Sequence, residues 1–93
     1  MEIEIKYQAC NICDALHRNI NDKFKSVSFE ILDNGNIQTK IILLELTEQA
    51  KDYIDDFSVE LSAKQEDDCV LKPIVEIGNN SQPLQNIVYQ QAT

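Results

Sequence analysis

The first residues of the chain alternate between apolar and charged side chains. Positions 3, 5 and 7 are Ile, Ile and Tyr, and positions 2, 4 and 6 are charged, which is the two-residue period of a half-buried strand. We therefore predict a first strand at 2–7. From residue 8 the spacing becomes that of a helix, whose apolar side chains share one stripe about 100° wide. These side chains are Ala9, Ile12, Cys13, Leu16 and Ile20. The spacing predicts a helix over 8–22. Extending it backwards would leave Ile3 and Tyr7 outside the stripe, and a single helix from residue 2 is the alternative.

A β-hairpin is predicted around Asp33-Asn34-Gly35, which separates two apolar-rich runs within 26–44. A two-residue loop would mix apolar and polar side chains on one face of the sheet. A three-residue loop at 33–35 keeps each face consistent. It gives the pairs Ile31–Ile37, Phe29–Thr39 and Val27–Ile41, and it requires Gly35 in the left-handed conformation that glycine adopts at little cost.

A second helix is predicted at 48–65, with Thr47 as its N-cap. Its apolar stripe consists of Leu46, Ala50, Tyr53, Ile54, Phe57 and Leu61. Residues 57–63 also alternate as a strand would, so a strand there is the alternative. A later strand at 69–77 contains Pro73, which cannot donate to a ladder, so this strand lies at an edge or is bulged. A last strand is predicted around 84–90, with Leu84, Ile87 and Tyr89 as its apolar positions.

These elements follow the order β-α-β-β-α-β-β, which is the split βαβ pattern of the ferredoxin-like sandwich plus one strand. The predicted fold class is α+β, with an antiparallel sheet of four to five strands and two helices on one face. If residues 2–7 are helical, the order becomes α-β-β-α-β-β. Neither order specifies a function, because this architecture hosts many unrelated ones.

Composition indicates the size of the domain and the cellular compartment of the protein. A chain of 93 residues with 43% hydrophobic residues indicates one small globular domain over 1–93. Its longest apolar run, 41–44, is too short to cross a bilayer, and its start is acidic where a secretory signal is basic and then apolar. We therefore expect a cytoplasmic protein with reduced cysteines. Since the run 41–44 is apolar on both faces, we expect a central strand or one covered by a second copy, which predicts a homodimer.

Charge indicates the kind of partner. The net charge of -8 disfavours direct binding to nucleic acid or to a membrane. Most of the excess lies between residues 45 and 68, where nine acidic residues stand against two lysines. On a helix, four carboxylates would surround one exposed aliphatic side chain opposite the apolar stripe. These five residues are Glu48, Asp52, Asp55, Asp56 and Val59. Such a surface suits a basic protein partner, and a plain solvated face is the alternative. Spaced carboxylates could also imitate DNA phosphates and inhibit a nucleic-acid-binding protein.

One group of residues has the side chains that zinc prefers. Cys10, Cys13 and His17 follow helical spacing, and Cys69 could supply a fourth ligand. Cys13, however, falls in the middle of the predicted buried stripe, where a free cysteine behaves as a small hydrophobe. A second pair of ligands is missing, as are an orienting group and an oxyanion hole for a thiol enzyme. We predict no cofactor, no metal and no catalysis. The leading hypothesis is a cytosolic protein–protein interaction module, and a small-ligand or zinc-binding module is the alternative.

Overall fold

The structure, a computed structural model, describes residues 2–18, 23–65, 69–78 and 82–91. Two helices and four strands occur in the order α-β-β-α-β-β, so the fold class is α+β as predicted. The elements are α1 (Glu2–Arg18), β1 (Phe24–Ile31), β2 (Ile37–Leu43), α2 (Glu48–Ala63), β3 (Ile74–Ile77) and β4 (Asn86–Gln90). None of the helices within these ranges is long and apolar enough to cross a membrane.

The predicted strand at 2–7 is wrong, because α1 already begins at Glu2. The alternative, a single helix from residue 2, is confirmed. The alternation of 2–7 indicates a strand, and the helix is predicted to begin near residue 8 because Ile3 and Tyr7 fall outside its apolar stripe. In the structure Tyr7 is part of the helix and is simply exposed, which is normal for a single apolar side chain on a protein surface.

The sheet has the strand order β3-β2-β1-β4. β1 is antiparallel to both β2 and β4, whereas β3 is parallel to β2. The prediction of an antiparallel sheet is therefore wrong, and the ferredoxin-like order is not confirmed. The physical reason is the connection: β2 and β3 are joined through α2, and a helical crossover returns the chain to the sheet in its original direction.

The hairpin has the predicted register and loop. Ile31 pairs with Ile37, Phe29 with Thr39, and Val27 with Ile41. The loop is closed by the N–H of Gly35, which donates to the carbonyl oxygen of Leu32 at 2.8 Å, and Gly35 has a φ of +87°. A glycine is favoured here because this left-handed conformation is strained for other residues.

Both helices pack on one face of the sheet, as expected. One buried apolar cluster joins residues of α1, α2, β1 and β2. Its members are Ile12, Ala15, Leu16, Phe24, Val27, Phe29, Ile37, Ile41, Leu43, Ala50, Ile54, Phe57 and Leu61. Along the strands these residues alternate with others that point to the opposite face.

The described part of the chain between β3 and β4, residues 82–85, lies on that opposite face. β3 and β4 are at opposite edges of the sheet. Two hydrogen bonds to side chains of β1 and β2 on this face hold residues 82 and 84. The N–H of Leu84 donates to Ser28 Oγ at 2.8 Å, and Lys40 Nζ donates to the carbonyl oxygen of Gln82 at 2.6 Å.

The apolar run 41–44 contributes to a central strand, as predicted, because β2 lies between β1 and β3. Ile42 points away from the helices, yet only 2% of its surface is exposed within a single chain. Its burial therefore requires no second copy. The homodimer stays a prediction, but this run no longer supports it.

Both outer strands contain an irregularity. An isolated bridge joins Ile37 to Val70, whereas β3 pairs from Lys40–Ile74 onwards, so one extra residue lies between the two registers. The predicted strand at 69–77 is therefore too long, because β3 begins only at Ile74. Pro73 precedes β3, and the position of this strand at the sheet edge is as predicted. In β4 the register shifts opposite Val27 and Ser28. Because of that shift, Ile87 and Tyr89 point to opposite faces of the sheet. The regular two-residue period of a strand would place them on the same face, so the sequence pattern does not reveal the shift.

Candidate functional site

The acidic helix α2 is placed as the sequence predicts. Thr47 Oγ1 accepts a hydrogen bond from the N–H of Ala50 at 3.0 Å, which makes Thr47 the N-cap of α2. The alternative strand at 57–63 is wrong, since these residues are helical. The buried side of α2 consists of Ala50, Ile54, Phe57 and Leu61. Val59 lies on the opposite side and is 69% exposed.

The four predicted carboxylates are all exposed, and the spacing of 48, 52, 55 and 56 keeps them on one side of α2, but only Asp55 lines a groove. Asp55 and Val59 line a groove beside α2. Glu48, Asp52 and Asp56 lie outside its lining. Lys51 Nζ is 3.5 Å from a carboxylate oxygen of Glu48, so it offsets part of the negative charge at the start of the helix.

The groove lies between α2 and the chain that leads into β3, and we call it the α2–β3 groove. Its volume is about 570 Å³. Apolar side chains from both sides form most of its lining, with polar groups between them. The lining consists of Leu46, Lys51, Ile54, Asp55, Ser58, Val59, Ser62, Val70, Leu71, Lys72, Pro73 and Val75. Leu46 is 43% exposed and Val75 is 39% exposed, so with Val59 they leave a contiguous apolar surface open to solvent.

The outer edge of β3 borders this groove. In the strand order β3 is terminal, so within the described residues no strand pairs with its outer side. The N–H of Gly78 donates to the carbonyl oxygen of Leu43 at 3.1 Å, towards β2. Successive residues of a strand direct their backbone groups to opposite sides. The N–H and C=O groups of Val75 and Ile77 therefore point outwards, away from β2.

The one charged side chain of β3, that of Glu76, does not protect this edge. Glu76 forms an ion pair with Lys40 of β2 and is thereby held on the face opposite the helices. The carbonyl oxygen of Lys72 accepts a hydrogen bond from Gln38 Nε2 at 3.0 Å, where Pro73 interrupts the ladder. Along the groove, the edge of β3 is consequently bordered mainly by apolar side chains, with Lys72 beside them.

The cysteines of α1 are not in the core. Cys10 and Cys13 are both exposed, so the prediction of a buried Cys13 is wrong. Gln8 and Ala15, which lie outside the predicted stripe, are buried. The buried face of α1 is therefore rotated relative to the predicted stripe. Partial desolvation raises the pKa of the Cys13 thiol, and the charges of Cys10 and Asp14 raise it further. A raised pKa keeps the thiol protonated at neutral pH, which disfavours both nucleophilic attack and metal binding.

The proposed zinc ligands do not assemble within the described residues. Cys69 is half-buried, and its Sγ donates to Gln65 Oε1 at 3.9 Å. Gln65 in turn bonds to Gln8, on the buried face of α1, away from exposed Cys10. The side chain of His17 lies outside the described part of the structure. Elsewhere in that part, no three His, Cys, Asp or Glu side chains form a group that could hold a metal ion.

The chain matches no protein-family model and no curated protein. The fold and the groove thus define the class on their own: a small α+β protein with an apolar groove beside an acidic helix. Of the residues that line this groove, the sequence predicted Asp55 and Val59 as partner-binding residues. It missed Leu46 and Val75, because the helix–strand crossover that brings them to one groove depends on the parallel pairing of β3.

Proposed function

We propose that this protein is a cytosolic, non-catalytic interaction module that binds a basic protein partner at the α2–β3 groove. The observation that carries the proposal is the position of Val59 and Asp55. An exposed aliphatic side chain and a carboxylate line the same groove, beside a helix with further exposed acids. A partner with apolar and basic side chains would complement both.

The apolar part of the groove supplies some of the affinity. Covering the exposed parts of Leu46, Val59 and Val75 contributes about 3 kcal/mol, whereas a micromolar complex needs roughly 8 kcal/mol. Apolar contact alone is therefore too weak. The acidic residues of α2 increase the association rate of a basic partner and exclude acidic ones.

The test is a comparative cross-linking experiment in a lysate of the cells that make the protein. One variant neutralises α2 (Asp52→Asn, Asp55→Asn and Asp56→Asn together), and another replaces Val59 with Ser. The matched control removes three acids that do not line the groove (Asp14→Asn, Glu30→Gln and Asp33→Asn). All variants are first checked for unchanged urea unfolding.

The proposal predicts that a basic protein is cross-linked by the unmodified chain and by the control, and that both α2 variants lose it. Equal capture by the unmodified chain and both α2 variants would show that the groove is not the binding site. If the captured protein binds nucleic acid and DNA displaces it, the third hypothesis, imitation of DNA phosphates, gains support.

The groove supports a second candidate, the binding of a small apolar molecule. Its volume of about 570 Å³ lies within the range of roughly 300–1,000 Å³ typical of ligand pockets. The cysteine-based site has less support, since Cys10 and Cys13 are apart from this groove. A native mass spectrum of protein purified from its own cells distinguishes binding of a small apolar molecule from binding of a protein partner, because a small ligand adds a defined small mass.

A further inference from the structure

We propose that the partner binds as an extended segment that adds a strand to the free edge of β3, with basic and apolar side chains alternating towards the α2–β3 groove. This inference rests on the proposed function and specifies its binding mode. Strand addition supplies main-chain hydrogen bonds in addition to side-chain contacts. It therefore provides the affinity that apolar contact with the groove cannot supply alone.

The backbone of β3 is suited to this mode. Val75 and Ile77 direct their N–H and C=O groups outwards, as the bond from Gly78 to Leu43 requires. An added strand can pair with both residues. The available edge is short, because β3 has four residues and Pro73 precedes it. A short edge limits uncontrolled pairing with other chains, so side-chain recognition is needed as well.

The side chains of an added strand would meet both faces of the sheet edge. Residues opposite Val75 and Ile77 point to the helix side, where Val59 and Asp55 line the groove together with Lys51 and Lys72. Residues between them point to the other side, where Ile74 is 41% exposed. Aliphatic side chains fit next to Val59 and Ile74, and a basic side chain fits next to Asp55.

Charge argues for a basic segment rather than a second copy of this chain. Each copy carries a net charge of -8. Pairing β3 with β3 of another copy would bring two acidic helices to neighbouring positions, and like charges at an interface oppose association. A Lys-containing or Arg-containing segment has the opposite effect.

The probe for the test is a fluorescein-labelled peptide of Lys-Lys-Val-Val repeats, in which Lys and Val alternate along each face of an extended strand. Binding is measured by fluorescence anisotropy over a range of salt concentrations. A first control peptide has the same composition with all Lys residues before all Val residues. A second control is the alternating peptide with N-methyl groups on alternate backbone nitrogens, prepared in both registers. N-methylation leaves the charge and the side chains unchanged but removes hydrogen-bond donors.

The matched protein variants are Val75→Pro and Val75→Thr. The N–H of Val75 points away from β2, so proline removes an outward donor while the ladder with β2 is kept. Threonine retains the N–H and the branched shape. We expect Val75→Thr to bind nearly as well as the unmodified chain, and Val75→Pro to bind about tenfold more weakly or worse. N-methylation in one register should weaken binding by a similar factor.

Other results would overturn the inference. Equal binding of the alternating peptide and both N-methylated forms, with loss in the Asp52, Asp55 and Asp56 variant, rejects strand addition and leaves the proposed function standing. Binding that none of these changes affects contradicts both, and no binding of any peptide rejects strand addition of a basic segment. Sedimentation of the protein alone is the last check. A dimer that Val75→Pro dissociates would identify a second copy as the occupant and overturn the choice of a basic partner.

Discussion

The side-chain amides of Gln8 and Gln65 donate hydrogen bonds to each other's oxygen atoms, at 3.0 and 2.8 Å. The two residues are 57 positions apart in sequence. Gln8 is only 2% exposed, so its amide is withdrawn from water and depends on protein partners. The pair joins the buried face of α1 to the residues that follow α2, and it explains why a glutamine occupies a core position of α1.

We predict that the pair is energetically coupled. Replacing Gln8 by Leu should lower the free energy of unfolding by about 1–2 kcal/mol, because the amide of Gln65 loses its partner. Replacing Gln65 by Leu alone should cost a similar amount, because Gln8 loses its two bonds to Gln65 while Asn11 Nδ2 still donates to Gln8 Oε1 at 3.3 Å. The double variant should cost less than the two single costs added, with a coupling energy of about 1 kcal/mol. Urea unfolding of all four proteins measures this, and additive costs would contradict it.

Replacing Thr39 by Val should leave stability unchanged or raise it by up to about 1 kcal/mol. Thr39 is fully buried, and its Oγ1 has no hydrogen-bond partner within the described structure. Valine keeps the shape and the β-branched form while removing the unpaired hydroxyl. The control Thr39→Ser keeps the hydroxyl and removes a methyl group, so it should destabilise. Thermal unfolding distinguishes them, and a large loss in Thr39→Val would show that the hydroxyl is bonded in solution.

Replacing Lys40 by Met should loosen residues 82–84, which lie on the chain between β3 and β4. Lys40 forms an ion pair with Glu76 and donates to the carbonyl oxygen of Gln82. Its loss should cost about 1–2 kcal/mol and increase hydrogen exchange at Leu84, whose N–H bonds to Ser28. The control is Lys23→Met, which removes the ion pair with Glu45 at 3.1 Å. Since both partners of that pair are more exposed, the control should cost less.

The Cys13 thiol should react slowly with iodoacetamide at neutral pH. Its pKa is raised above the ordinary value of 9.0, first by desolvation and then by the charges of Cys10 and Asp14. The thiolate therefore forms only at higher pH, and the rate should still be rising above pH 9. Asp14→Asn should shift the rate profile to lower pH. Mass spectrometry of the alkylated peptides gives the rates, and a profile unaffected by Asp14→Asn would contradict the assignment.

The raised pKa of the Cys13 thiol also makes the stability of the fold depend on pH at alkaline values. The folded state binds the Cys13 proton more tightly than the unfolded state does. The contribution to stability is therefore present below the unfolded-state pKa and is lost as the pH rises through the folded-state value. Cys13→Ser should reduce this alkaline loss of stability. A stability profile that changes at acidic pH instead would assign the effect to another group.

Local signals predicted much of the fold. The Asp33-Asn34-Gly35 turn and the face pattern fixed the hairpin register, and Thr47 marked the start of α2. Both depend on residues close in sequence, where turn geometry and capping act directly. The N-terminal prediction failed because alternation over six residues also fits a helix with an exposed Tyr7, and short apolar patterns do not separate the two.

The candidate site was also predicted only in part, and the reason differs from that for the N-terminal helix. The exposed acids and Val59 follow from the helical period of α2 alone. The groove needs β3 to lie parallel to β2, which depends on a long-range crossover. The burial of Gln8 likewise depends on Gln65, whose amide bonds to it and so makes a polar residue suitable for the core. Hydrophobic patterning assigns such a glutamine to the surface.

The position of β4 affects the order in which a nascent chain can complete its sheet. β1 pairs with β4 through Ser28–Ile87 and Phe29–Asn86, partners that are far apart in the sequence. Contacts so distant in sequence form slowly. During synthesis β1 and β2 leave the ribosome well before residues 86–90, so the side of β1 that faces β4 stays without this neighbour until β4 is made. A ribosome-bound fragment lacking 86–90 therefore has a second sheet margin open to misfolding or to a chaperone.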